Sequence, residues 1–202
     1  MGLSDRVALA AGLWAASLCV FAQSAAPAVP PQLKACRTLT AATASPGEWT
    51  FSGPEIANLI AAHDRLSKAA DWYPLLKLCE WRVPNAMAKP DEADGAILVT
   101  TEILRMTRGD IDEIAAVLAH EFGHLINRHY EKKLRKRDEA VVRAARQYGR
   151  EVHDGKRREA ALEQATQSFL DDFNGFSRVA EFEADDAGFA LAQRAGFSAS
   201  GA

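Results

Sequence analysis

The chain has 202 residues, enough for one domain with a substantial core, and 48% of them are hydrophobic. Its 24 basic and 27 acidic residues give a formal charge of −3. That balance lacks the basic surplus of a nucleic-acid-binding protein, so no nucleic-acid partner is expected.

The first 24 residues differ in character from the rest of the chain. Arg6 lies in a short polar start, and Val7 to Ala22 form an apolar run too short to span a bilayer comfortably. Ala22 and Ser24 then place small side chains where a signal peptidase reads them. Residues 1–24 are therefore read as a signal peptide, cleaved after Ser24 or after Ala26, which implies export. An uncleaved membrane anchor is the lesser alternative. Leu18 stands where a lipobox needs a small residue, which argues against lipidation at Cys19. After cleavage two cysteines remain, Cys36 and Cys79. In an oxidising compartment they either pair, tying the tail to the domain, or stay as thiols, and sequence supplies no Cα separation to decide between them.

Residues 25–53 are rich in Ala, Pro, Thr and Ser and read as a linker or loose lead-in. From Pro54 to Ala70, Ile56, Leu59, Ile60, His63 and Leu66 fall at helical spacing, which predicts a packing helix with His63 on its face rather than in a metal site. Leu75 to Val83 fits a short helix or a strand. The polar turn Lys89 to Gly95 separates Asn85–Ala88 from Ala96–Thr101, a short β-branched run and the clearest strand of the chain, and together these predict a hairpin. The free edge of that strand would suit an extended peptide.

A short helix is expected over Glu102–Arg108. Asp110 is a plausible N-cap with Glu113 at capping-box spacing. Apolar residues from Ile111 to Ile126 then recur at three- and four-residue steps, which predicts a long and heavily buried helix. Residues 128–163 are highly charged with both signs interleaved, the pattern of solvated helix faces, interrupted near Gly149 to Gly155. Residues 160–173 resume an amphipathic helix with a stop at Asn174-Gly175, and Ser177 to Ala195 is a further helix ending at Gly196.

The buried helix contains His120-Glu121-Phe122-Gly123-His124, the pattern HExxH. Residues four apart stand about 40° apart on a helix, one turn above the other, so both imidazoles reach one metal ion. Glu121 is placed to take a proton from a water at the metal's open position. Catalytic zinc takes three protein ligands as a rule, and HExxH supplies two. The extension HExxHxxGxxH would need Gly at 127 and His at 130, where the chain has Asn127 and Tyr130. His129 would lie about 140° from His124 on an unbroken helix and point away from the metal, so it reads as a structural or surface histidine. The vacancy suits Glu181. Asp185, one turn on, could then accept the outer N–H of a ligating histidine, while Glu183 lies about 200° from Glu181 and faces elsewhere.

HExxH within Val117 to His124, followed by Ser177-Arg178-Val179-Ala180-Glu181-Phe182-Glu183-Ala184-Asp185 and closed by Ala195-Gly196-Phe197, resembles the HtpX-like, CAAX prenyl protease type of zinc metalloendopeptidase. Asn85-Ala86-Met87 and Ile97 to Thr101 resemble the lead-in strands of that family. The resemblance implies a predominantly helical α+β, zincin-like domain over 54–202, with an active-site helix, a short hairpin or sheet ahead of it and a second helix bearing the glutamate. It implies one zinc ion per chain held by His120, His124 and Glu181, with Glu121 as the base. Tyr130 and Arg178 are the candidates for contacting substrate or the transition-state oxyanion. The chain looks like the exported, soluble branch of the family, which implies the periplasm and substrates among misfolded or unassembled envelope proteins. Membrane association stays open, although no transmembrane helix is expected in the mature chain. The rival reading is a non-catalytic or autoinhibited zinc-containing chaperone or assembly factor, with the Lys89–Gly95 loop or the tail past Phe197 over the metal.

Overall fold

The computed structural model of the protein describes residues 36–40, 53–90 and 94–198. The expected signal peptide, and all of the 25–53 lead-in except residues 36–40 and Gly53, lie outside the described residues. The strands are β1 (Cys36–Thr38), β2 (Leu75–Cys79), β3 (Ala86–Lys89) and β4 (Ala96–Thr100). The helices are α1 (Gly53–Ala70), α2 (Thr101–Met106), α3 (Ile111–Ile126), α4 (His129–His153) and α5 (Arg158–Arg194). The fold is α+β and mostly helical, as expected.

The strands form one mixed sheet in the order β1-β2-β4-β3. β3 and β4 make the expected antiparallel hairpin, with Ala88 opposite Ile97, and β2 runs parallel to β4. Of the two forms open to Leu75–Val83, the strand is the one adopted, and the alternation of buried Leu76 and Leu78 is its periodicity. Two expectations need correction. The lead-in is not all linker, because β1 pairs antiparallel with β2 and Leu39 is buried in the core. Cys36 and Cys79 face each other in this register and are joined by a disulfide. The strand just before α3 has no free edge either, since β3 folds back on β4 and takes the outer position.

β3 is held at its entrance by side chains from the end of β4. Thr100 donates its hydroxyl to the Val83 carbonyl (2.9 Å) and accepts from the Asn85 N–H (3.0 Å). Thr101 makes the equivalent pair of bonds with the backbone of Trp81.

The described residues divide into two compact units, those within 31–130 together with those from Val179 onward, and Glu131–Arg178. In the former, α1 and α3 pack together over the sheet around Leu59, Leu66, Leu78, Ile97, Leu118 and Phe122. Asp110 caps α3, accepting from the backbone N–H groups of Asp112 and Glu113 through one carboxylate oxygen. The C-terminal end of α5 is tied to α1 by Arg65, whose guanidinium donates to the Ala195 and Gly196 carbonyls and lies 3.7 Å from the Phe197 ring centroid.

The other unit is a helical pair with a narrow apolar seam of Ala140, Ala144, Ala165 and Phe169. Arg143 donates to Asp172 across this seam, and Lys136–Glu139 pairs along α4. These charges are the solvated faces that the interleaved pattern implied. The interruption expected near Gly149 to Gly155 falls at the far end of that stretch, since α4 runs through Gly149 to His153 and α5 begins at Arg158, with Gly155 at a positive φ between them. One expected break is absent: Asn174-Gly175 does not stop α5, a single helix of 37 residues. No helix among the described residues is long and apolar enough to cross a membrane.

Candidate metal centre

α3 presents His120 and His124 on one face, and the C-terminal half of α5 lies against that face at unusually close range. Glycines allow it. A Cβ on Gly123 would stand 2.8 Å from the Ala184 Cα, and one on Gly188 would stand 2.6 Å from the Ala119 carbonyl oxygen. The two backbones therefore meet without side chains between them. The motif glycine thus has a packing role in addition to its place between the histidines. Ala184 and Gly188 are one turn apart, and the residues flanking Ala184 on the exposed side, Glu181 and Asp185, are carried to the histidines.

His120 Nε2 and His124 Nε2 lie 3.0 Å apart, and Glu181 Oε2 lies 3.4 Å from the former and 3.5 Å from the latter. Tetrahedral ligands at the usual zinc distances of about 2.0–2.1 Å stand roughly 3.3 Å from one another, so the triangle has the dimensions such an ion requires. These three residues are the His/Asp/Glu group able to hold a metal among the described residues. The outer nitrogens are engaged elsewhere. His120 Nδ1 lies 2.7 Å from Asp185 Oδ1, which fixes the proton on Nδ1 and leaves Nε2 bare toward the triangle. The donor set therefore fits a metal ion in chemistry as well as in spacing.

Glu121 differs from the other acids of the site. It is 8% exposed, whereas the Glu181 and Asp185 side chains are 59% and 65% exposed. Burial pushes its carboxyl up to about 7, with the negative charge of Glu181 acting in the same direction. The neighbouring His120 and the backbone N–H of Ala88 on β3 oppose the shift. Burial likewise holds His124 below the ordinary histidine value, so it stays neutral and able to ligate. A cleft of about 580 Å³ opens beside His120 and Asp185, with Ala119, Gly188, Phe189 and Phe197 among its walls.

The remaining candidates lie outside the triangle. Tyr130 is 53% exposed and Arg178 is also exposed. His63 is buried against Phe122, 5.8 Å between ring centroids, where burial lowers its pKa; it belongs to the core, as its spacing implied. His153 is exposed. His129 differs from expectation. It does not point away, because α3 ends at Ile126 and Arg128 adopts a positive φ of 51°, which turns the chain before α4 begins. His129 is 4% exposed, its Nδ1 lies 2.9 Å from His124 Nδ1, and its Nε2 lies 3.0 Å from Glu183 Oε2. It is a buried neighbour of a ligand candidate rather than a surface residue. Part of the signal for this turn was in the sequence, since the apolar pattern ends at Ile126; the left-handed residue itself is Arg128, a type that carries no preference for that conformation, while Asn127 is right-handed.

No curated protein and no solved structure matches the chain. The sequence model of peptidase family M48 matches residues 53–202, most of the chain, in agreement with the resemblance carried by HExxH and the Glu181–Asp185 helix. The chain belongs to peptidase family M48, and is a metallopeptidase.

Proposed function

We propose that the protein is a zinc-dependent endopeptidase, exported to the periplasm, that hydrolyses misfolded or unassembled envelope proteins. The observation that carries this reading is the convergence of His120, His124 and Glu181 beside a buried Glu121. Three protein ligands favour a catalytic site, since structural zinc sites are closed by four. An ion there would supply a Lewis acid for the scissile carbonyl and would lower the pKa of water to roughly 7.

The protein's own residues supply the rest. Glu121, with a carboxyl near neutrality, takes a proton from the attacking water and returns it to the leaving amine. Asp185 holds the His120 ring in the ligating tautomer. β3 is the outer strand of the sheet and packs against α3, with Ala88 bonded to Glu121, so an extended peptide added to this edge would run past the base. The cleft beside His120 offers apolar walls to a substrate side chain. Tyr130 and Arg178 remain candidates for the oxyanion. Export is supported by the Cys36–Cys79 disulfide, a bond that persists in oxidising compartments, together with the apolar run at Val7 to Ala22.

Purified protein should contain one zinc ion and cleave casein in a manner abolished by a chelator and restored by zinc. Metal-loaded protein that leaves casein and unfolded envelope proteins intact would support the non-catalytic chaperone reading instead. Residues 91–93 and 199–202, which belong to the segments invoked for autoinhibition, lie outside the described residues.

A further inference from the structure

His120 has a carboxylate behind it, and His124 has instead another histidine. We infer that His129 and Glu183 form a positioning pair for His124, with His129 accepting the proton on His124 Nδ1 and Glu183 fixing the tautomer of His129 that can accept it. The inference rests on the metal reading above and concerns residues outside the ligand set.

Proton placement is dictated by the geometry. His124 Nε2 faces His120 Nε2 and Glu181, so a ligating His124 keeps Nε2 bare and carries its proton on Nδ1. Two ring nitrogens 2.9 Å apart share one proton between them, because two would repel and none would set lone pair against lone pair. His129 Nδ1 is therefore bare, and its own proton sits on Nε2. That nitrogen lies 3.0 Å from Glu183 Oε2, and an ionised carboxylate can only accept. The order His124 N–H to His129, His129 N–H to Glu183 is the arrangement that satisfies every group.

Burial raises the stakes. The His129 side chain is 5% exposed, so water does not readily replace it, and without it the His124 Nδ1 proton loses its acceptor. The local chain is built to keep the pair in register. Asn127 donates its side-chain amide to the carbonyls of Gly123 in the last turn of α3 (3.1 Å) and of Glu183 in α5 (3.2 Å). The turn at Arg128 then places His129 beside His124. α5 thus supports both histidines from residues two apart, Asp185 acting directly on His120 and Glu183 acting on His124 through a ring.

The test is zinc affinity of the full chain, measured by competition with a chromophoric chelator, for wild type, His120→Ala and three variants at His129. An Asn amide oxygen takes the place of the missing Nδ1, whereas a Gln amide reaches Glu183 but offers no acceptor at Nδ1. His129→Asn should keep affinity near that of wild type, while His129→Gln and His129→Ala lose about 10- to 100-fold, the usual cost of removing an outer-sphere partner. Equal affinity in all three variants, or an equal loss in all three, would overturn the inference. Wild type that binds no zinc, or His120→Ala that binds it undiminished, would instead remove the metal reading itself. Nitrogen NMR of zinc-loaded wild type gives a second measure that needs no variant: the His129 proton on Nε2 supports the pair, and the proton on Nδ1 overturns it.

Discussion

Two helices that are consecutive in the chain are held by different means. α3 buries eight of its sixteen residues, and its contact with the C-terminal half of α5 leaves no room even for a methyl group at Gly123 or Gly188. α4 buries only Ala140 and Ala144 of its helical face, in addition to His129 at its start, and carries Arg143–Asp172 and Lys136–Glu139 on exposed surface. Close backbone packing fixes ligand atoms to within a few tenths of an ångström, as a metal site needs, whereas a shallow alanine seam with solvated charges tolerates change. Sensitivity to substitution should therefore divide between the two regions.

The largest effect is chemical. Glu121→Gln should leave metal content unchanged and reduce peptide hydrolysis about 10²- to 10⁴-fold, the usual contribution of a general base, as read by kcat with a fluorogenic peptide. Full activity in a metal-loaded variant would remove Glu121 from the mechanism.

The same residue should impose a pH dependence on the metal-free protein. A carboxyl whose pKa rises from 4.5 in the unfolded chain to about 7 in the folded one holds its proton longer when folded. Between those values the folded state binds more protons, so stability falls as pH rises, by about 3 kcal/mol in all. Glu121→Gln should abolish this component, so the difference between the variant and wild type in urea midpoint should grow from pH 4.5 to 7. A pH-independent difference would show that burial does not perturb the group.

The packing contrast is tested by paired glycine substitutions. Gly123→Ala and Gly188→Ala each push a methyl into backbone and should cost about 1–3 kcal/mol along with metal affinity. Gly149→Ala in α4 meets nothing within 4 Å and should instead stabilise by about 0.5–1 kcal/mol, because glycine is the poorer helix former. Thermal unfolding of the three variants checks the sign as well as the size. Smallest of all, Arg143→Ala breaks an exposed pair and should cost under about 1 kcal/mol, with activity unchanged.

Local patterns in the sequence are legible where the physics is local. The Asp110 cap, α1, α3 and the hairpin come from periodicity and capping chemistry, and the grouping of Glu181 and Asp185 with the histidines comes from the need for a third ligand together with one-turn spacing. Sequence and structure part where one local signal stands against a longer pattern. Asn174-Gly175 suggests a stop, yet Ala165, Phe169 and Phe173, then Phe176, Ala180 and Ala184, keep three- and four-residue steps across it, and one glycine costs a helix only about 1 kcal/mol. Rotating an unbroken helix misplaces His129, because the chain turns at Arg128. β1 is three residues long in a Pro- and Ala-rich segment, and what identifies it is its pairing with β2, a non-local fact. The meeting of Gly123 with Ala184 is likewise non-local, though a glycine inside a buried helix is a hint of close approach.

The central claim is that α3 and α5 together hold one ion with three protein ligands. X-ray diffraction from zinc-loaded crystals, collected on either side of the zinc absorption edge, tests it most directly. The expected result is one anomalous peak bonded to His120 Nε2, His124 Nε2 and Glu181, with the fourth position left to solvent. A peak elsewhere, or a fourth protein ligand closing the site, would contradict it.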